Sequence, residues 1–156
     1  MYTNHKFYIL RSFYPHWEWL VIMVILYDRF NLPEDIYEVI FSTNQQKIVA
    51  KELIKFMVAR KGEISKTDMS VFATQLHDGN YECILEEPPY KGKHVKLSYN
   101  KRQFYDRILT PMKAMGLIDY DLYKKTYRIS GKFSVDLVKI GSMWKQELSK
   151  LGISAQ

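Results

Sequence analysis

The feature that most constrains the fold of this chain is an amphipathic stretch that ends at Gly116 and runs directly into β-rich sequence. Phe104, Ile108 and Met112 recur at a spacing of four residues, which places them on one face of a helix. Gly116 permits a left-handed backbone turn, so the chain can reverse into a strand. The pattern predicts a helix over about 99–115 whose apolar face must be covered by other elements.

Capping residues, glycines and prolines divide the rest of the chain into short elements. From Gln46 onward apolar residues fall at helical spacing until Gly62, and Thr67 is a residue type that caps a helix. We expect this second helix to turn Val71, Phe72 and Leu76 inward. The predicted elements are helices over about 15–30, 33–41, 46–61, 67–78, 99–115 and 134–151, and strands over about 81–85, 94–97, 117–121 and 126–130.

The most apolar run, Trp19 to Tyr27, is nine residues long. A bilayer crossing needs about 20 apolar residues, so we expect no membrane span. A helix that begins at Pro15 would be apolar on almost all sides and would have to be covered by protein. The β-branched residues of this run leave a strand as the alternative.

The composition argues against an enzyme. Cys83 is the only cysteine, which excludes an intramolecular disulfide and a cysteine-based zinc site, and favours a reducing, cytoplasmic setting. The four histidines include no pair at metal-ligand spacing. The sequence also has no phosphate-binding glycine loop, dinucleotide motif or nucleophile elbow. We therefore expect no catalytic residues, no metal and no cofactor.

The positive charge of the chain is concentrated in one stretch. The formal net charge of the whole chain is +6. Between Pro88 and Met115 there are seven Lys and Arg residues and one acid, Asp106, so this stretch also carries a net charge of +6. A second basic group lies between the last two predicted strands. Basic surfaces of this kind suit a polyanionic partner.

Two short runs give the pattern a family likeness. They are Met112-Lys-Ala-Met-Gly-Leu-Ile at the end of the helix, and Asp119-Tyr-Asp with Tyr127-Arg-Ile in the strands. Residues 46–131, in the order helix, link, helix, connection, helix and hairpin, resemble the winged helix-turn-helix superfamily of prokaryotic DNA-binding regulators, archaeal and viral ones included.

The resemblance implies a mainly α-helical fold with a small antiparallel β-hairpin, in which a winged helix-turn-helix core carries extra N- and C-terminal helices. The corresponding division of the chain is an N-terminal helical extension over 1–43, a winged-helix domain over 44–133, and a C-terminal helix over 134–156 that is a candidate dimerisation element.

A helix that turns Phe104 inward turns the opposite face toward a partner. Arg102 can donate two hydrogen bonds to guanine, and Gln103 can bridge adenine. We predict that helix 99–115 enters the major groove and that hairpin 117–130 is the wing. The candidate DNA-binding residues are Lys93, Lys96, Ser98, Tyr99, Asn100, Lys101, Arg102, Gln103, Asp106, Arg107, Thr110, Lys113, Lys124, Lys125 and Arg128.

The function predicted from the sequence is sequence-specific binding of double-stranded DNA by a homodimeric transcriptional regulator. The candidate dimer surfaces are the apolar N-terminal helix and a C-terminal stripe of Leu137, Ile140, Trp144, Leu148 and Leu151. Two alternatives stay open. One is a winged-helix protein–protein adaptor with an acidic partner, and the other is a replication or maintenance factor that binds an origin.

Overall fold

A computed structural model describes residues 28–86, 88 and 90–154. The predicted helix over about 15–30 lies outside the described residues except at its end, where Asp28 is extended and caps a 3-10 turn. The elements in chain order are a 3-10 turn (Arg29–Asn31), α1 (Ile36–Ile40), α2 (Asn44–Val58), β1 (Glu63–Ser65), α3 (Lys66–His77), β2 (Tyr81–Leu85), β3 (Lys93–Leu97), α4 (Lys101–Phe104), a π-helical turn (Tyr105–Leu109), α5 (Thr110–Ala114), β4 (Ile118–Asp121), β5 (Thr126–Ile129) and α6 (Lys132–Lys150).

The predicted class of a mainly α-helical fold with a small antiparallel sheet is confirmed. β1, β5 and β4 form a three-stranded sheet in that order, because β5 pairs with β1 on one side and β4 on the other. The sequence predicted β1 only as an extended link. Its pairing joins the segment between α2 and α3 to the C-terminal hairpin, which a local pattern does not reveal.

Helix α2 forms where the periodicity predicts it. Thr43 caps it by accepting a hydrogen bond from the Gln46 amide at 3.2 Å. Val49, Leu53 and Met57 recur every four residues and are fully buried. The helix therefore presents one apolar stripe to the core.

Two predictions about α3 are wrong. Its cap is Ser65, not Thr67: the Ser65 hydroxyl accepts from the Asp68 amide at 3.0 Å, and the Asp68 carboxylate accepts from the Ser65 amide at 3.1 Å. This reciprocal capping box satisfies two backbone amides, which a cap at Thr67 would not do. Phe72 and Leu76 are buried as predicted, but Val71 was predicted to face inward and is 46% exposed, because the buried face of α3 is formed by Met69, Phe72, Ala73 and Leu76 and Val71 points away from it.

The strands predicted over 81–85 and 94–97 are present as β2 and β3, and they pair as a hairpin in register from Tyr81 opposite Leu97 to Leu85 opposite Lys93. It is held against α2 by the Tyr81 hydroxyl, 3.5 Å from the buried Glu52 carboxylate. Burial raises the pKa of Tyr81 to about 12, so its phenol remains protonated and available as the donor. The hairpin thus packs on the core.

The third predicted helix is present, but it is interrupted in the middle. Asn100 caps it through the Gln103 amide at 3.1 Å. The π-helical turn follows, in which the Thr110 amide donates to the Tyr105 carbonyl five residues back. Pro111 is the physical reason, since it has no N–H and its ring would clash with the carbonyl four residues earlier in a regular α-helix.

The buried side chains continue through the π-helical turn. Phe104 of α4, Ile108 and Leu109 of the turn, and Met112 of α5 are all buried in the core. α4, the π-helical turn and α5 therefore act as one composite helix with a broad apolar face against α2 and α3. We call residues 101–114 the central helix.

Helix α6 starts at Lys132 and extends to Lys150, close to the predicted 134–151. Phe133 is its one buried residue, and Leu137, Ile140 and Trp144 of the predicted stripe are exposed, whereas Leu148 is half-buried. None of the helices among the described residues has both the length and the apolar character that a bilayer crossing requires.

Gly116 joins the central helix to the hairpin. Its φ is +79°, and a Cβ placed on it would lie 3.0 Å from the Lys132 Cβ and 3.1 Å from the Phe133 amide nitrogen. We expect Gly116→Ala to lower the free energy of unfolding by roughly 1–3 kcal/mol, from the left-handed backbone and the close contacts together. Gly131→Ala is the matched control, since Gly131 has nothing within 4 Å and its φ is −90°. Equal unfolding curves for the two variants in urea would contradict this account.

Candidate nucleic-acid interface

The central helix turns most of the predicted residues outward. Arg102 has a side chain that is 88% exposed and pairs loosely with Asp106 at 3.6 Å. Gln103, Arg107, Thr110 and Lys113 are also exposed. One surface of the central helix therefore presents guanidinium, amide, hydroxyl and ammonium groups together.

Tyr99 was predicted to face outward, and this is wrong. Only 5% of Tyr99 is exposed, because it lies before the helix rather than on it, and its amide donates to the Leu76 carbonyl at the end of α3. Burial raises the pKa of its phenol, against the opposing effects of Arg107 and a hydrogen bond with Gln46. Tyr99 anchors the start of the central helix to α2 and α3.

The residues just before the central helix have structural partners. The Asn100 side-chain oxygen is used as the helix cap. Ser98 is exposed, and its carbonyl accepts a hydrogen bond from Gln45 of α2 at 3.3 Å. Lys101 donates from Nζ to the Thr74 hydroxyl at 2.9 Å. Lys101, the first residue of the central helix, therefore places a positive charge next to the exposed face of α3.

The exposed face of α3 completes a surface that the sequence prediction missed. Thr67, Ser70 and Thr74 line a shallow depression of about 240 Å³ beside Lys101. Their spacing of three and four residues puts three hydroxyls on one face. This signal was readable in the sequence. The predicted cap at Thr67 conflicts with it, because a capping hydroxyl would be bonded to the backbone and not exposed beside Ser70.

The β2–β3 hairpin contributes less positive charge than the sequence suggested. Lys96 lies opposite Glu82 in the strand register, with its Nζ 3.7 Å from the carboxylate. Lys93 lies at the tip, 5.8 Å from the Tyr90 ring centroid. Glu82, Glu86 and Glu87 precede the basic stretch along the chain, and the pairing of β2 with β3 brings Glu82 against it. Across residues 81–97 three Lys and three Glu balance each other.

The β4–β5 hairpin has two kinds of cation. Arg128 and Lys132 both contact Asp119, at 3.7 Å and 2.8 Å. Lys124 and Lys125 lie in the turn. The Asp121 carboxylate accepts a hydrogen bond from the backbone amide of Lys124 at 2.9 Å, and the side chains of both lysines are exposed. The two turn lysines are therefore the available cations of this hairpin.

The turn of the hairpin meets the start of α3. The Lys125 carbonyl accepts a hydrogen bond from the Lys66 amide at 2.8 Å. This brings a third exposed lysine, Lys66, next to Lys124 and Lys125. The sequence prediction missed Lys66, because only the β1–β5 pairing brings these two regions together.

The central helix is also fixed to the base of the hairpin. Lys113 Nζ lies 5.5 Å from the Tyr120 ring centroid and 6.0 Å from that of Tyr127. The two rings are in contact with each other, with centroids 4.6 Å apart. Lys113 therefore links the helix surface to the hairpin surface. We use the term basic face for three groups together: the exposed residues of the central helix, the hydroxyl face of α3, and lysines 66, 124 and 125.

The exposed groups of the basic face are cations and hydrogen-bonding side chains. Among residues 28–86, 88 and 90–154 no group of three His, Cys, Asp or Glu side chains is placed to hold a metal ion. The chain matches no protein-family model, no curated protein and no solved structure. The functional conclusion therefore depends on the geometry and charge of the basic face.

Asp119 makes the base of the hairpin sensitive to acid. The hydrogen bond from Lys132, with the nearby Arg128, lowers the pKa of this carboxyl below its usual range. A lowered pKa in the folded state adds stability above the unfolded pKa, and this stability is lost as the pH falls through the folded pKa. We expect Asp119→Asn to lower the melting temperature at pH 7 and to match the unsubstituted chain at pH values below the folded pKa. Glu34→Gln, at an exposed carboxylate, should leave both values unchanged, and a pH-independent loss in Asp119→Asn would contradict the linkage.

Proposed function

We propose that this protein binds double-stranded DNA in a sequence-specific manner through the basic face, as a homodimeric transcriptional regulator. The observation that carries the proposal is the exposure of Arg102 and Gln103 side by side on a helix whose opposite face is buried in the core. These side chains match the hydrogen-bonding edges of guanine and adenine in a major groove.

The order of the elements supports a winged helix-turn-helix assignment. α2, β1, α3, the central helix and the β4–β5 hairpin follow one another, and β1 joins the hairpin as the third strand of one sheet. In this assignment the β2–β3 hairpin is an insertion between the second helix and the recognition helix. Because it packs on α2 and its charges balance, it does not compete with the recognition helix for the groove.

The two groups beside the central helix suit the DNA backbone. Lys101 with the α3 hydroxyls lies on one side, and lysines 66, 124 and 125 are carried by the α3 start and the hairpin turn. Phosphate contacts of this kind position a protein on the duplex and provide salt-dependent affinity, whereas base contacts select the sequence. The wing of the proposed complex is β4–β5.

A second candidate function is a winged-helix protein–protein adaptor. The hairpin turn favours an adaptor, since Leu122 and Tyr123, which lie between Asp121 and the two turn lysines, are 75% and 100% exposed. Exposed apolar residues at such a tip are typical of contacts with protein. Binding to duplex DNA that falls steeply with added salt supports the regulator, whereas a stable protein complex without DNA binding supports the adaptor.

The base-reading role is tested by duplex selection with the purified chain at two salt concentrations, followed by binding measurements on the selected site. We expect Arg102→Ala to weaken the selected duplex by about 1–3 kcal/mol and to relax the preference at one position. Gln103→Ala should relax the preference at a neighbouring position. Lys145→Ala, at an exposed lysine of α6, is the charge-matched control. Unchanged sequence preference in both variants of the central helix would overturn the proposal.

The phosphate-contact role of the hairpin turn has a separate measurement. We expect the double substitution Lys124→Gln with Lys125→Gln to lower the slope of log affinity against log salt by about 2, one for each lost phosphate contact. The sequence preference should be unchanged, because phosphate contacts do not read bases. A loss of sequence preference without a change in the salt slope would show that these lysines do not contact the DNA backbone.

A further inference from the structure

Helix α6 carries an exposed apolar stripe that nothing in the described chain covers. Phe133 is buried at its start, and beyond it Leu137, Ile140 and Trp144 are exposed, Trp144 to 65%. Together with Leu148 and Leu151 these side chains recur at spacings of three and four residues along one face. A stripe of this kind is normally covered by another helix.

We infer that α6 pairs antiparallel with α6 of a second copy of this chain, about a two-fold axis near residues 142 and 143. This inference specifies the contact of the homodimer in the proposed function, and it does not depend on DNA binding. In this register Ile140 of each copy packs beside Trp144 of the other. Gly141 of each copy lies opposite Trp144 of the other, and the lack of a side chain there leaves room for the indole and for a close approach of the two helices.

The charges on the flank of the stripe favour this orientation. Asp136 and Lys150 lie seven residues on either side of Met143, on the same flank, so the axis places Asp136 of one copy opposite Lys150 of the other. Lys150 also contacts Glu147 of its own helix, which leaves its ammonium on that flank. Opposite charges at such flanking positions set the orientation of paired helices.

A parallel pairing would lose this charge contact. It would place the flank of Asp136 and Lys150 against the opposite flank of the other copy, and it would bring each Trp144 against the other Trp144 at one level. The antiparallel register instead pairs Leu137 of each copy with the Glu147–Leu148 region of the other.

Self-association is measured by light scattering and sedimentation on the full chain. We expect a dimer, and we expect Ile140→Glu or Trp144→Glu to weaken it by about tenfold or more. Val138→Glu is the matched control, because Val138 is exposed on the opposite face of the same helix. Circular dichroism establishes that the variants fold. A monomer at every concentration, or a dimer that both stripe variants leave intact, overturns the inference; the second result would assign the contact to the apolar run 19–27.

Charge reversal tests the orientation. Asp136→Lys alone and Lys150→Asp alone should each weaken the dimer, and the double variant should restore it. Within one α6 the two residues are 14 positions apart, about 21 Å along the helix, so the rescue requires a contact between copies. Absence of rescue contradicts the antiparallel register.

Disulfide trapping tests the position of the axis. In a chain that carries Cys83→Ser, Gly141→Cys combined with Trp144→Cys should give a covalent dimer under mild oxidation, because position 141 of each copy lies opposite position 144 of the other. Val138→Cys should stay monomeric on a non-reducing gel. If DNA binding fails while trapping succeeds, the proposed function is wrong and the pairing stands; the reverse result contradicts the pairing alone.

Discussion

The structure depends on the packing of one aromatic ring, Phe72 of α3. Its ring centroid lies 4.9 Å from that of Phe56 in α2, 4.9 Å from that of Tyr81 in β2 and 5.5 Å from that of Phe104 in the central helix. Phe72 is fully buried, so four elements share one contact point. Aromatic pairs at these distances add to the free energy of apolar burial. The orientation of the central helix, and with it the direction of Arg102 and Gln103, follows from this packing.

The elements that the sequence predicts well are those specified by local chemistry. The stripe of Val49, Leu53 and Met57 defines α2, and the glycine at 116 with its β-rich continuation defines the junction to the hairpin. Both features depend on residues within one or two turns of each other. Periodicity and the backbone freedom of glycine are properties of a short segment, so both can be recognised in the sequence without knowledge of the tertiary structure.

The predictions that were wrong or incomplete concern contacts between distant parts of the chain. Tyr99 lies in a polar segment that is typical of an exposed helix start, yet its amide donates a hydrogen bond to the Leu76 carbonyl and its ring is buried. Lys96 counts as a free cation in a linear tally, yet the strand register places it opposite Glu82. Lys66 joins the hairpin lysines only through the pairing of β1 with β5. Each case requires strand pairing or packing that no local window contains.

The π-helical turn has a consequence for how such a surface changes during evolution. The two ends of the central helix are anchored independently, by Asn100 and Tyr99 at one end and by Gly116 at the other. A π-helical turn holds one more residue than an α-helical turn, so the loss of one residue from it would restore regular winding and leave the two ends in nearly the same relative orientation. Because Pro111 disfavours regular winding at this point, that loss should accompany replacement of the proline. A change of one residue in the spacing from residue 100 to residue 116 should therefore be tolerated among descendants of this fold, whereas a larger change would turn Arg102 away from the rest of the basic face.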